Sequence, residues 1–268
     1  MLRRNNGMAK GKNTKPKSNK TWLVLLLVVI LLLAYTIITY LRQMREEEAA
    51  QFARYPAFGI DLPLGYSIHG IDVSKHQGYI AWPMVKAMQV QDVRPGFAFI
   101  KATEGLLNVD AQFKRNWQQA KDAGLYRGAY HFFLATKSGK LQAQNFISTV
   151  QLLPGDLPPV LDIEELYGVA PAIMRKEAKA WLQAVEAAYQ VKPIIYTNTY
   201  FYNTNLGKDF DDYPLWAAHY LEKDKPRINR DWLFWQHSDA GNVNGITTKV
   251  DFNVFNGDST AFHDLLIK

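Results

Sequence analysis

Cysteine is absent from all 268 residues, which excludes a disulfide framework, thiolate metal ligands and a thiol nucleophile, and leaves the compartment open. Residues 1–21 lack acidic side chains, and residues 22–41 lack any charge. No Gly-rich phosphate fingerprint follows the first strand-like segment, and no HExxH or comparable metal-ligand spacing occurs. These absences argue against a dinucleotide-binding sheet and a local metal motif, and the sequence calls for no cofactor. What remains is 48% hydrophobic and 13% aromatic, ample material for a large core.

The net charge of +6 conceals an asymmetry. Arg3, Arg4, Lys10, Lys12, Lys15, Lys17 and Lys20 crowd the first 21 residues; the rest has 24 basic residues against 25 acidic. Such a tail could neutralise nucleic-acid phosphates, but the neighbouring stretch supplies a better partner. WLVLLLVVILLLAYTIITYL, residues 22–41, is long enough as a helix to cross the roughly 30 Å core of a bilayer. It is longer than a secretory h-region and lacks a small-residue cleavage motif, so a retained anchor is expected. Trp22, Tyr35 and Tyr40 lie in or near its ends, where aromatic side chains favour the interface. Seven basic residues before the span, against Arg42 and Arg45 after it, put the N-terminus in the cytoplasm. The expected protein is single-pass in a bacterial cytoplasmic membrane, its larger part on the periplasmic side, without nucleic acid. Four regions follow: a basic tail (1–21), a transmembrane helix (22–41), a linker (42–67) and a soluble domain (68–268). Pro56, Gly59, Pro63 and Gly65 mark the linker, whose 25 or so residues reach at most about 80 Å.

From residue 68 strand-like and helical segments alternate. Strands are expected at 67–74, 97–103, 127–133, 159–164 and 193–198, and then, without long helices, at 213–220, 232–238 and 248–255. A helix is expected over 110–123, capped by Asp110 and ended by Gly124, and a longer one from about Ala172 to Tyr189. Eight strands suit a closed, side-chain-filled barrel.

In such a barrel, polar residues at the strand ends collect at one mouth. Asp72, Glu104, Tyr130, His131, Asp162, Glu164, Tyr196, His219, Tyr220 and Gln236 end or follow successive strands, and Asp251 lies in the eighth. Alternation puts Asp162 and Glu164 on the same side, with Ile163 turned away. Several acids in one partly apolar mouth repel one another, so at least one holds a proton at neutral pH. A proton donor beside charged carboxylates is what glycosidic cleavage requires. A metal site built from these acids with His131 and His219 is the less favoured alternative.

The segments HGIDVSKHQG, FAFIKATEG, GAYHFF, PPVLDIEE, PIIYTN, PLWAAHY, FWQHS and KVDFNVFNGD, in this order, resemble the glycoside hydrolase family 25 lysozymes, the Chalaropsis-type muramidases. The likeness spans about residues 68–258. It implies an α/β fold, a (β/α)5(β)3 TIM-like barrel, here preceded by a single transmembrane helix. It also implies hydrolysis of the β-1,4 bond between N-acetylmuramic acid and N-acetylglucosamine in peptidoglycan. By motif position Glu164 corresponds to the proton donor and Asp162 to the second essential carboxylate, with Asp72 and Asp251 the other two acids. Whether the substrate's own N-acetyl group or a water attacks first stays open. Tyr130, Tyr196 and Trp216 fall where the family lines its groove, with core packing competing evenly at Trp216; Gln236 could hydrogen-bond a sugar or, equally, satisfy a neighbouring strand. His131 reads as a core histidine and Lys101 with Glu104 as a structural pair, while His76 and His219 have no role. Two other readings compete: a non-catalytic wall-binding scaffold, and a glycosidase acting on another amino-sugar polymer such as chitin.

Overall fold

The computed structural model describes residues 20–49, 52–220, 222 and 224–268, in two units. The first holds all but the last two residues of helix α1 (Lys20–Ala49), whose stretch Trp22–Arg42 has mean hydropathy 2.8 and no buried side chain. Thr36 and Thr39 turn their hydroxyls back onto the carbonyls of Leu33 and Tyr35, at 2.8 and 3.0 Å, so neither donor is left free. Most of the basic tail lies outside the described residues.

The second unit opens with two short antiparallel strands, β1 (Phe52–Tyr55) and β2 (Ile60–Pro63). The barrel follows. Its strand–helix units are β3 (His69–Val73) with α2 (Trp82–Ala87), β4 (Pro95–Glu104) with α3 (Phe113–Asp122), β6 (Tyr126–Phe132) with α4 (Gly139–Thr149), and β7 (Val160–Asp162) with α5 (Pro171–Tyr189). The two-residue β5 (Asn108–Val109) folds back on the end of β4. The fifth unit pairs β8 (Ile194–Asn198) with a single turn, α6 (Thr199–Phe201). Then come β9 (Leu215–Ala218), β10 (Phe234–Gly241), β11 (Val250–Phe255) and a last helix, α7 (Ser259–Leu265).

Around the barrel the order is β3, β4, β6, β7, β8, β9, β10, β11 and back to β3. Every neighbouring pair is parallel except those of β11, which is antiparallel to both β10 and β3. All eight expected strands are present. Phe97, Phe99, Val160, Ile194, Phe234 and Phe255 fill the interior, and Phe262 of α7 packs on Phe97, Phe234 and Phe255 to close the floor. Two inward glycines make room for the rings: a Cβ on Gly70 would come within 2.4 Å of Phe97, and one on Gly128 within 2.5 Å of Phe99.

The outer helices follow their apolar periodicity. In α3, Phe113, Trp117 and Ala120 are buried, and Gly124 at φ 79° ends the helix. Asp110 does not cap this helix, which starts three residues later; its carboxylate accepts the backbone N–H groups of Gln112 and Lys75, at 2.9 Å each. In α5, Met174, Ala178, Trp181, Leu182 and Val185 face inward from a start at Pro171.

The reading of residues 42–67 as a linker requires correction. Tyr55, Phe58, Ile60 and Leu62 are buried, and β1 and β2 pack on the side of the barrel that lacks long helices. Phe58 meets Phe252 edge-on at 5.2 Å, Phe52 meets Trp235 at 6.1 Å, and the Asn242 N–H donates to the Phe58 carbonyl at 2.8 Å. Strands β10 and β11 carry apolar residues on both faces, and this hairpin covers the outer one. Pro56 and Gly59 belong to its turn, where Gly59 adopts φ 71°. Four-residue strands are too short to display alternation, so their turn residues resemble a linker.

Candidate active site

At the C-terminal ends of the parallel strands lies a cavity of about 370 Å³. Its walls include Asp72, Lys101, Tyr130, Asp162, Glu164, Tyr196, Trp216, Tyr220, Gln236 and Asp251. All eight residues expected at the site are brought together there. Asp162 is the last residue of β7, and Glu164 stands at the rim just beyond it, while Ile163 is buried in the helix layer. Asp251 reaches the same mouth from the start of its strand, because β11 runs the opposite way and sets Asp251 beside Asp72.

The acids fall into two neighbouring pairs, Asp72 with Asp251 in register on adjacent strands and Asp162 with Glu164 at the end of β7, each close enough to share a proton. A carboxyl–carboxyl hydrogen bond needs a shared proton. In the first pair, burial, the Asp72 charge and the hydrogen bond to Asp72 push the Asp251 carboxyl up to about 9. Asp72 is also raised by burial, but hydrogen bonds hold it back. Gln236 Nε2 and Asn253 Nδ2 both donate to Asp72 Oδ2, at 2.8 and 2.7 Å. Of the two, Asp72 ionises first and Asp251 keeps the proton to the higher pH. In the second pair, burial and the Glu164 charge push Asp162 well up, opposed by Lys101. Glu164 is raised by burial, while its hydrogen bond with Asp162 works the other way. The shared proton rests toward Asp162, whose Oδ1 is buried and has no hydrogen-bond partner.

Both amides that hold Asp72 are themselves oriented. Asn253 Oδ1 accepts the Trp216 indole N–H at 2.8 Å, and Gln236 Oε1 accepts the hydroxyls of Tyr196 and Tyr220 at 2.7 and 2.6 Å. Trp216 is 2% exposed and stacks on Phe99 at 4.4 Å, so it forms the floor of the cavity with its polar edge already engaged. Gln236, also 2% exposed, is a clamp on Asp72. Asn253 was not singled out from the sequence. Its signal is the D-x-N spacing that puts it on the same face as Asp251. Asn253→Ala removes a hydrogen bond to a buried charge; kcat/KM is expected to fall about 10- to 100-fold. The pH profile should shift with it, because Asp72 then ionises at higher pH.

Asp251 carries a stability signature of its own. Below pH 4 it is protonated folded and unfolded alike. As pH rises the unfolded chain releases this proton early while the fold retains it to about 9, so stability is lost over that interval. Asp251→Asn keeps a donor to Asp72 and removes the penalty. Its Tm should exceed that of the native chain by about 2–8 °C at pH 8–9, a change of only 1–2 kcal/mol, and match it near pH 4.

Lys101 pairs with Glu104 at 2.7 Å and also lines the cavity beside the acids. His131 is fully buried between Thr103 and Gln142, at 2.7 and 3.2 Å, outside the cavity. His219 faces Glu222 at 3.2 Å, and His76 lies on the cavity wall.

The sequence model described as glycosyl hydrolases family 25 matches residues 71–246. The chain belongs to glycosyl hydrolase family 25. Among relatives of this family 25 barrel is YegX of Escherichia coli K12, 48% identical over 201 residues, 75% of this chain and 74% of the relative. Lysozyme M1 of Streptomyces globisporus is 37% identical, covering 71% of this chain and 68% of its own. The crystal structure of the bacterial lysozyme from Streptomyces coelicolor superposes with a TM-score of 0.68 at 34% identity, over 75% of this chain and 97% of that one. The family 25 chain is thus a glycoside hydrolase of the lysozyme kind. The matched residues 71–246 leave the N-terminal helix outside.

Proposed function

We propose that this chain is a membrane-tethered muramidase that cuts the β-1,4 bond between N-acetylmuramic acid and N-acetylglucosamine in peptidoglycan, with Glu164 as proton donor. The observation that carries the reading is the pair of proton-sharing carboxyl pairs at the mouth of a family 25 barrel. Glu164 stands at the rim, where a glycosidic oxygen can reach it, and Asp162 lies deeper. The unpartnered Asp162 Oδ1 supplies an acceptor for the N–H of the substrate's acetamido group. Accepting that bond favours ionised Asp162 and moves the shared proton to Glu164.

The reaction then balances. Glu164 gives its proton to the glycosidic oxygen as the C1–O bond breaks, and the acetamido carbonyl oxygen attacks C1 to form a cyclic oxazolinium. Asp162 stabilises the positive charge through the N–H. Water then opens the ring and gives a proton to Glu164, restoring the acid. Charged Asp72 adds negative potential across the cleft, and Tyr130 and Tyr196 offer ring faces to the sugars. No cofactor enters the scheme.

The apolar helix is read as the anchor: its hydroxyls bond back to its own carbonyls, and the basic residues precede it. The N-terminus then lies in the cytoplasm and the barrel on the periplasmic side of the cytoplasmic membrane. Helix α1 continues past the apolar stretch to Ala49, so residues 42–49 prolong the anchor helix by about 12 Å of rise before the folded strand that begins at Phe52. The test digests purified peptidoglycan with the native chain and reads the products by mass spectrometry with and without borohydride. Reducing muramic acid ends support the reading. Cleavage of chitin but not of peptidoglycan would replace it with the chitinase one, and pelleting with sacculi without cleavage would leave a wall-binding scaffold.

A further inference from the structure

The loop from β7 to α5 carries Glu164, Glu165, Leu166, Tyr167, Gly168 and Val169. Leu166 and Val169 pack against the core, and the Val169 N–H donates to the Leu166 carbonyl at 3.1 Å. Between these anchors Tyr167 and Gly168 both adopt left-handed backbone, at φ 50° and 80°. Glycine occupies that region freely, whereas a bulky aromatic residue is an outlier there and costs the fold on the order of 1 kcal/mol. Asparagine or glycine would make this turn at lower cost.

What the strained turn achieves is presentation. Tyr167 is 38% exposed, takes no part in either core cluster, and stands three residues from the proton donor. Burial raises its phenol pKa first and the neighbouring acids Glu165, Glu104, Asp162 and Glu164 raise it further, so the ring lies on the side of the cleft that holds Asp162 and Glu164. It sits in the loop that follows β7, at the rim of the barrel mouth, outside the lining of the central cavity. A polymer lying in the cavity must pass over that rim to leave it. The neighbouring acids disfavour an anionic peptide and suit a neutral ring rich in hydroxyl donors, whose C–H face can lie on the aromatic plane.

We propose that Tyr167 is the platform of an outer sugar-binding subsite, stacking on a pyranose ring of the glycan beyond the two that flank the scissile bond. This rests on the muramidase reading of the same cleft. The subsite selects for chain length: a short oligosaccharide fills the cavity without reaching Tyr167, and a longer one gains the contact.

The full chain in detergent, carrying Glu164→Gln so that ligand survives, is titrated with disaccharide and hexasaccharide fragments of peptidoglycan glycan. Adding Tyr167→Asn, which suits the left-handed backbone and removes the ring, should raise the hexasaccharide Kd about five- to tenfold and leave the disaccharide Kd unchanged. The same change should raise Tm, since strain is relieved. Tyr167→Phe keeps the ring and should restore the hexasaccharide Kd to within about twofold. An unchanged hexasaccharide Kd in Tyr167→Asn, or an equal loss for both ligands, overturns the subsite. Cleavage of peptidoglycan by the native chain is scored separately: cleavage together with an unchanged Kd removes the Tyr167 proposal alone. No cleavage and no binding of either fragment removes both.

Discussion

Glu164→Gln is expected to lower kcat on peptidoglycan by about a thousandfold, within the range that a positioned general acid contributes. The amide retains the volume of the carboxyl and can still accept a hydrogen bond from Asp162, so the cleft keeps its shape. What it cannot do is release a proton to the departing oxygen. KM should therefore change little, and Tm should hold or rise, because one of the four crowded acids has gone. Steady-state release of reducing ends, alongside a melting curve, checks both halves. Activity within tenfold of native would remove Glu164 from the role of acid. Since Asp162 holds the resting proton, it would be the next residue to test.

A chain beginning at residue 68, where the family resemblance starts, is expected to fail to fold, whereas one beginning at residue 52 should be stable and soluble. Tyr55, Phe58, Ile60 and Leu62 are each at most 6% exposed. At about 2 kcal/mol for each buried side chain their loss removes about 8 kcal/mol, comparable with the 5–15 kcal/mol that holds a typical domain together. It also uncovers Phe252 and Trp235 on the outer face of the barrel. Phe58→Ala is the milder form, with an expected cost of about 3–5 kcal/mol. Urea unfolding monitored by tryptophan fluorescence reads both. Equal midpoints for the chains starting at 52 and 68 would return the hairpin to the status of a linker.

The parts of this protein legible in the sequence are those encoded by neighbouring residues. A run of 20 uncharged residues states its own length, and strand or helix periodicity is visible over six to eighteen positions. Asp162 and Glu164 could be assigned to one side because they are two residues apart at a strand end. The order of eight short motifs along the chain carries the family resemblance.

Tertiary structure alone decided the rest. Nothing local in V-D-F-N shows that β11 runs antiparallel, yet that reversal sets Asp251 beside Asp72 and lets Asn253 reach the same carboxylate across 181 positions of sequence. Which acid keeps its proton depends on that geometry, since burial and donors from β10 and β11 act together on Asp72. For Trp216 groove and core compete evenly in the sequence, and for Gln236 a sugar and a neighbouring strand, because an inward side chain in a barrel can serve either; their hydrogen bonds assign them to holding the site. The hairpin was illegible because its strands are short and its stability comes from a surface more than 170 residues away along the chain. Periodicity is a local property of the chain. Proton placement and the covering of a bare barrel wall are set by distances in space, which the order of residues does not contain until the chain has closed.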